Sequence, residues 1–309
     1  MGINLSVKIG KIVLKNPVTV CSGTFGNGEE YKELVDIATL GALITKTITV
    51  KPREGNPPPR ITETPAGILN SIGLENRGVK FFIREKLPFL KQLGIPFIVS
   101  IAGHTKDEFK TLAAELEASN VKALELNISC PNIKYRKRGL QFSQDAKAAY
   151  ELVRAVRKST RLTLITKLSP NVTDITEIAR AVEDAGSDAL SLINTLAGMS
   201  VDIDKRMPKL GNITGGLSGP AIKPIALKMV WETYKSVRIP IIGMGGIMDR
   251  TDALEFLIAG ARAIAVGTAN FINPKASREI LEGIKNYMKE KKIHNINTII
   301  GSLQCQTMH

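Results

Sequence analysis

The sequence predicts an α/β fold, a single (β/α)8 barrel, and three observations carry that expectation. Eight short apolar segments recur along the chain, amphipathic segments separate them, and polar, glycine-rich stretches gather behind the strands. Each apolar segment is aliphatic nearly throughout, as parallel strands covered on both faces must be.

Residues 1–16, MGINLSVKIGKIVLKN, alternate apolar and polar side chains and predict an N-terminal β-hairpin. Strands follow at 18–21, 42–45, 97–101, 123–127, 162–168, 189–193, 239–243 and 263–266. Between them, 107–119, 143–159, 174–185 and 221–236 show helical periodicity, several opening on Ser, Thr or Asp and ending near Gly. Asp174-Ile-Thr-Glu177 has the spacing of a capping-box variant. Eight strands alternating with eight helices complete a TIM barrel. Two long connections break the rhythm. Residues 47–78 hold Pro52, Pro57, Pro58, Pro59 and Pro65, and residues 195–219 end in Gly215-Gly-Leu-Ser-Gly219. Both follow strand C-termini, the catalytic face of such barrels, and predict lids or binding loops. No repeat or linker divides the chain, so 1–309 reads as one domain, with 303–309 an unassigned tail.

Composition narrows the function. With 43% hydrophobic and 23% charged residues the chain is an ordinary globular one with ample core. No run approaches the roughly 18 apolar residues of a membrane span, so a cytoplasmic protein without membrane contact is expected. The three cysteines, Cys21, Cys130 and Cys305, form no CxxC pair, and the three histidines are dispersed, so no metal site is predicted. His104 sits in a helix-entry loop and reads as a surface residue. The net charge of +13 is spread along the chain, densest at 134–138 and 289–292; it reads as solvated surface, and no nucleic acid is expected as partner.

The stretch Leu124-Glu-Leu-Asn-Ile-Ser-Cys-Pro-Asn132 begins as strand and ends in a loop offering a thiol, a hydroxyl and two amides. Pro131 stops the strand, because it has no backbone donor. Cys130 is there either a reactive group or an inert buried thiol. Gly243-Met-Gly-Gly246 and Gly267-Thr-Ala-Asn270 follow the last two strands, where barrels build phosphate sites from backbone N–H groups. The former lacks the third glycine of a dinucleotide fingerprint, so no nicotinamide site is predicted. Lys46 and Lys167 end apolar strands and read as fixed cations at the same mouth.

Taken together, Asn127-Ile-Ser-Cys-Pro-Asn132, Asn70-Ser-Ile-Gly-Leu-Glu-Asn76, Lys167-Leu-Ser-Pro170, Ile193-Asn-Thr195, Gly215-Gly-Leu-Ser-Gly-Pro220 and Gly243-Met-Gly-Gly-Ile247 resemble dihydroorotate dehydrogenase. The likeness runs from about residue 3 to 303 and is greatest to the class 1 catalytic subunit of the NAD-linked (1B) subclass. It implies an FMN-binding barrel that oxidises dihydroorotate to orotate in pyrimidine (UMP) biosynthesis, with Cys130 as catalytic base. Substrate-binding positions would be Lys46, Asn70, Ser71, Ile72, Gly73, Leu74, Asn127, Asn132, Asn194 and Thr195. Flavin-binding positions would be Ser22, Gly23, Lys46, Thr47, Ser100, Asn127, Lys167, Ile193, Gly219, Gly245, Gly246, Gly267 and Thr268. The resemblance also implies a homodimer within a heterotetramer, whose electron-transfer subunit carries FAD and a [2Fe–2S] cluster and passes electrons to NAD. Ser100 stands where the family has asparagine, and Asn76-Arg-Gly78 replaces Asn-Pro-Gly. Rival readings are a tRNA dihydrouridine synthase-type FMN barrel and a non-catalytic phosphate-binding barrel.

Overall fold

The computed structural model describes residues 2–129 and 142–304. Cys130, Asn132, the basic run 134–138 and Cys305 lie outside the described residues. Eight parallel strands form one sheet: Val18–Val20, Leu43–Ile44, Phe97–Ile101, Ala123–Asn127, Thr163–Lys167, Ala189–Leu192, Ile241–Met244 and Ala263–Val266. Numbered one to eight along the chain, they stand in the spatial order one, eight, seven, six, five, four, three, two. The seam between strands one and two carries a backbone bond from Gly41 N–H to the Val18 carbonyl at 2.9 Å. The α/β barrel expected from the sequence is the fold observed.

Alternation along each strand sends one set of side chains to the helices and the other into the barrel. On strand four Leu124 and Leu126 have the outward parity, while Ala123, Glu125 and Asn127 have the inward one, and all five are buried. The outer layer is built from helices at Lys106–Ala118, Ala146–Ser159, Ile175–Asp184, Lys223–Ser236, Arg250–Ala259 and Ala276–Glu290. Four of these starts are capped by side chains that accept otherwise orphaned N–H groups: Thr105 from Glu108, Asp145 from Ala148, Asp174 from Thr176 and Asp249 from Thr251.

Three local features differ from expectation. The first crossover has short 3-10 turns at Glu29–Tyr31 and Ile37–Thr39 where an α-helix was expected, because its glycine-rich opening favours turns. Strand seven starts at Ile241 and not at 239, since Pro240 has no N–H for the ladder and only its carbonyl is used, by Leu190. The long connections are not irregular throughout. They meet as a four-stranded antiparallel sheet in the order Leu196–Met199, Thr214–Ser218, Gly67–Asn70, Ile61–Thr64.

The hairpin expected at the N-terminus is present, Val7–Ile9 against Ile12–Leu14. It packs at the end of the barrel opposite the antiparallel sheet, where Lys11 N–H reaches Thr163 Oγ1 at 3.2 Å and Ile9 and Leu14 are fully buried.

At the seam, Gly41 lies so close to Asn16 that an added Cβ would collide with the Asn16 carbonyl oxygen. A backbone atom cannot swing aside as a side chain would. Gly41→Ala is therefore expected to destabilise the fold by about 1–3 kcal/mol, the usual cost of overpacking. A thermal midpoint equal to that of the parent chain would show that the seam relaxes freely.

Candidate functional site

A cavity of about 410 Å³ lies at the C-terminal mouth of the barrel, between the strand ends and the antiparallel sheet. That volume is typical of small-molecule sites. Cys130 and Asn132 fall outside the described residues. Of the other positions anticipated from the sequence, all line this cavity except Ser71 and Ser100. Ser71 is fully buried and accepts from Asn56 Nδ2 at 2.9 Å. Ser100 lies one layer deeper in the barrel, where it donates to Glu125 Oε1 at 2.9 Å. Direct contact between either side chain and a ligand in this cavity is therefore not part of the geometry.

The walls divide by chemistry. Ile61, Ile68, Ile193, Ile222, Met244 and Phe271 form apolar surfaces. Ile61 and Ile68 come from the antiparallel sheet, so no local pattern could have marked them as lining residues. Met244 and Met248 flank the glycine pair at 245–246, and that proximity was the available signal. Gly246 has φ of +78°, and a Cβ there would lie 2.7 Å from the Lys223 Cβ and 2.9 Å from the Gly219 carbonyl oxygen. The bare backbone is thus required on steric grounds. Nearby, Thr268 Oγ1 bonds Ser218 Oγ at 2.9 Å and ties the last barrel loop to the antiparallel sheet.

The amides are held by a network. Ser129, almost fully buried, donates from Oγ to Asn127 Oδ1 at 3.2 Å and accepts from Asn194 Nδ2 at 2.9 Å. Asn194 Oδ1 accepts the Thr195 N–H at 2.8 Å, and Asn127 Nδ2 donates to Thr47 Oγ1 at 3.1 Å. Asn70 Nδ2 reaches the Gly216 carbonyl at 3.3 Å, across the sheet. Two cations, Lys46 and Lys167, line the cavity, and among the described residues no Asp or Glu does. Lys167 is buried, with Nζ 3.3 Å from Ser22 Oγ and 4.0 Å from Glu125 Oε1. An electropositive cavity with apolar walls, fixed amides and a glycine-lined corner is suited to a flat, hydrogen-bonding ring system bearing phosphate. His104 is exposed and stands 2.6 Å from Arg53 Nη1, away from the cavity lining.

Comparison with known proteins gives one consistent result. The sequence profile of dihydroorotate dehydrogenase matches residues 4–288. A protein of Desulforamulus reducens named dihydroorotate dehydrogenase B (NAD(+)), catalytic subunit, is 57% identical over 303 residues, covering 98% of this chain and 99% of its own. Proteins of the same name from Trichlorobacter lovleyi and Geobacter sulfurreducens are 54% and 53% identical, each over 97% of this chain and 98% of its own length.

One described thiol belongs to the cavity wall. Cys21 Sγ lies 3.3 Å from the Ala265 carbonyl oxygen, and burial pushes its pKa from 9.0 up to about 11, with Lys167 pulling it back and Glu125 adding to the rise. At neutral pH it is a thiol and a poor nucleophile. Because the folded pKa exceeds the unfolded one, the unfolded chain releases this proton first. The stability linked to Cys21 is then intact below pH 9 and lost between pH 9 and 11. In the ligand-free protein, the fall in stability over that window should be smaller for Cys21→Ala than for the parent, by roughly 2 kcal/mol at its end. Parallel denaturation curves for the two proteins from pH 8.5 to 11 would contradict it.

Proposed function

The chain belongs to the dihydroorotate dehydrogenase family, within its B-type catalytic subunits, and on that premise we propose that it oxidises dihydroorotate to orotate using bound FMN. The observation that carries the reading is the cavity itself, which joins two cations, fixed amides and a glycine corner that a Cβ would fill. These residues fit FMN. Gly219, Gly245, Gly246, Gly267 and Thr268 would hold its phosphate by backbone N–H and hydroxyl groups. Lys46, Thr47, Lys167, Ser22, Gly23, Ile193 and Asn127 would line its ring. When bound, FMN supplies the acceptor for the hydride that leaves ring carbon 6 of dihydroorotate.

The protein's own groups do the remaining work. Cys130, three residues past the cavity-lining Asn127 in sequence, would take the proton from ring carbon 5 as a thiolate. Asn70, Asn127, Asn132 and Asn194, with Thr195, would present donors and acceptors to the ring carbonyls and N–H groups. Lys46 would meet the substrate carboxylate, and Lys167 would steady the charge gained by the reduced ring system. Ser71 and Ser100 would act from behind this shell. The segment 72–74, whose residues line the cavity, would cover the bound pyrimidine.

The same reading takes 1–309 as one FMN-binding domain in a cytoplasmic complex, as a homodimer within a heterotetramer. Its electron-transfer subunit would carry FAD and [2Fe–2S] and pass electrons on to NAD. Among the described residues no helix is long and apolar enough to cross a membrane.

Two experiments test this. In rapid mixing, Cys130→Ser should keep its flavin absorbance but be reduced by dihydroorotate orders of magnitude more slowly, since a serine hydroxyl is a far weaker base than a thiolate. Near-normal reduction would remove Cys130 from the reaction, and NAD reduction by the isolated parent chain would remove the partner subunit. In a flavin titration, orotate should perturb the spectrum at concentrations where uracil and unmodified tRNA do not. Asn194→Ala should weaken orotate about ten- to a hundredfold and retain FMN, as expected for a ring group left unpaired in a dry site. Tight, salt-sensitive binding of tRNA with no response to orotate would replace this reading with a dihydrouridine synthase, and a purified protein without flavin absorbance would leave a phosphate-binding barrel.

A further inference from the structure

Glu125 is fully buried on the fourth strand, one inward position below Asn127, and the reaction above gives it no task. Its two oxygens accept from two serines on other strands, Oε1 from Ser100 at 2.9 Å and Oε2 from Ser191 at 3.0 Å. Lys167 Nζ stands 4.0 Å from Oε1. A carboxylate cannot donate, so the Ser100 proton must point to Glu125. Ser100 Oγ is also 2.8 Å from Thr47 Oγ1, and with its proton committed it can only accept there. Thr47 therefore donates to Ser100 and accepts from Asn127 Nδ2, 3.1 Å away. That sets which end of the Asn127 amide faces Thr47 and leaves its oxygen to Ser129, which in turn accepts from Asn194.

We propose that Glu125 is a positioning residue that holds the Lys167 ammonium and fixes the polarity of the chain Asn127–Thr47–Ser100. The proposal rests on the flavin reading above. A neutral side chain at this position would break both functions. A carboxamide can donate as well as accept, so the Ser100 and Thr47 protons would lose their single direction. The Lys167 charge would also lose its buried counter-ion, and an uncompensated cation favours the electron-rich reduced ring.

The test uses the flavin-loaded protein and Glu125→Gln, which keeps the shape. The two-electron reduction potential of the bound flavin, measured against reference dyes, should rise by about 30 mV, a tenfold change in the reduction equilibrium constant. Orotate should bind about tenfold more weakly in the spectral titration, with FMN retained. A purely structural role would lower the thermal midpoint and move neither quantity. Either quantity unchanged overturns the proposal. If Glu125→Gln is not recovered folded, Ser100→Ala decides. It keeps the charge and cuts the chain, so orotate should weaken severalfold at an unaltered potential, and parent-like orotate binding would overturn the proposal. A parent protein that binds no flavin, or whose flavin dihydroorotate does not reduce, would instead refute the reading on which this proposal rests.

Discussion

The register between the fourth and fifth barrel strands sets what the cavity contains. Asn127 lies opposite Lys167 and Glu125 opposite Ile165, while the neighbouring pairs place Ser100 beside Glu125 and Ser191 beside Lys167. Side chains in a strand alternate with a period of two, so a slip of the fourth strand by one residue would turn Glu125 and Asn127 toward the helices and away from Lys167. Leu124 and Leu126 would then enter the barrel, and the polar groups would meet the apolar flanks of the outer helices. The cost of burying those groups unpaired is what makes one register strongly preferred.

A second constraint comes from the two long connections. Neither forms a hydrophobic unit of its own, since Ile61–Thr64 and Leu196–Met199 are only partly buried. They are ordered by pairing with each other through Gly67–Asn70 and Thr214–Ser218. The cavity roof is thus a tertiary product of two segments some 150 positions apart, as in the pair Ile68 and Ser218.

This explains what the sequence could and could not reveal. The barrel was legible because each strand is a short aliphatic run and four of the outer helices open on a capping Thr or Asp side chain. The polar residues that end those strands, Lys46, Asn127, Lys167 and Asn194, were legible for the same reason, since a polar group at a strand end has few structural uses. The resemblance put Ser100 among the flavin-binding positions, and its side chain stands one layer behind the cavity lining, on Glu125. Its position on the third strand was right, but its depth in the barrel depends on shear, which no single strand encodes. Ile61, Ile68 and Phe271 went unnoticed because an aliphatic or aromatic side chain looks alike whether it fills a core or faces a ligand. Glu125 was passed over inside an apolar run, although a carboxylate amid such residues is itself a signal.

The sheet order has a consequence for how the protein is made. Strand one pairs with strand eight, Val18 with the region of Ile264, and Asn4 N–H bonds the His294 carbonyl. At ordinary translation speeds these partners leave the ribosome on the order of tens of seconds apart. Throughout that interval Val18–Val20 has an edge without its final neighbour, and the hairpin before it has no complete barrel end to cover. Elongation past strand eight is therefore needed before the ring can close, so a message truncated before codon 263 would yield an open sheet with two adhesive edges.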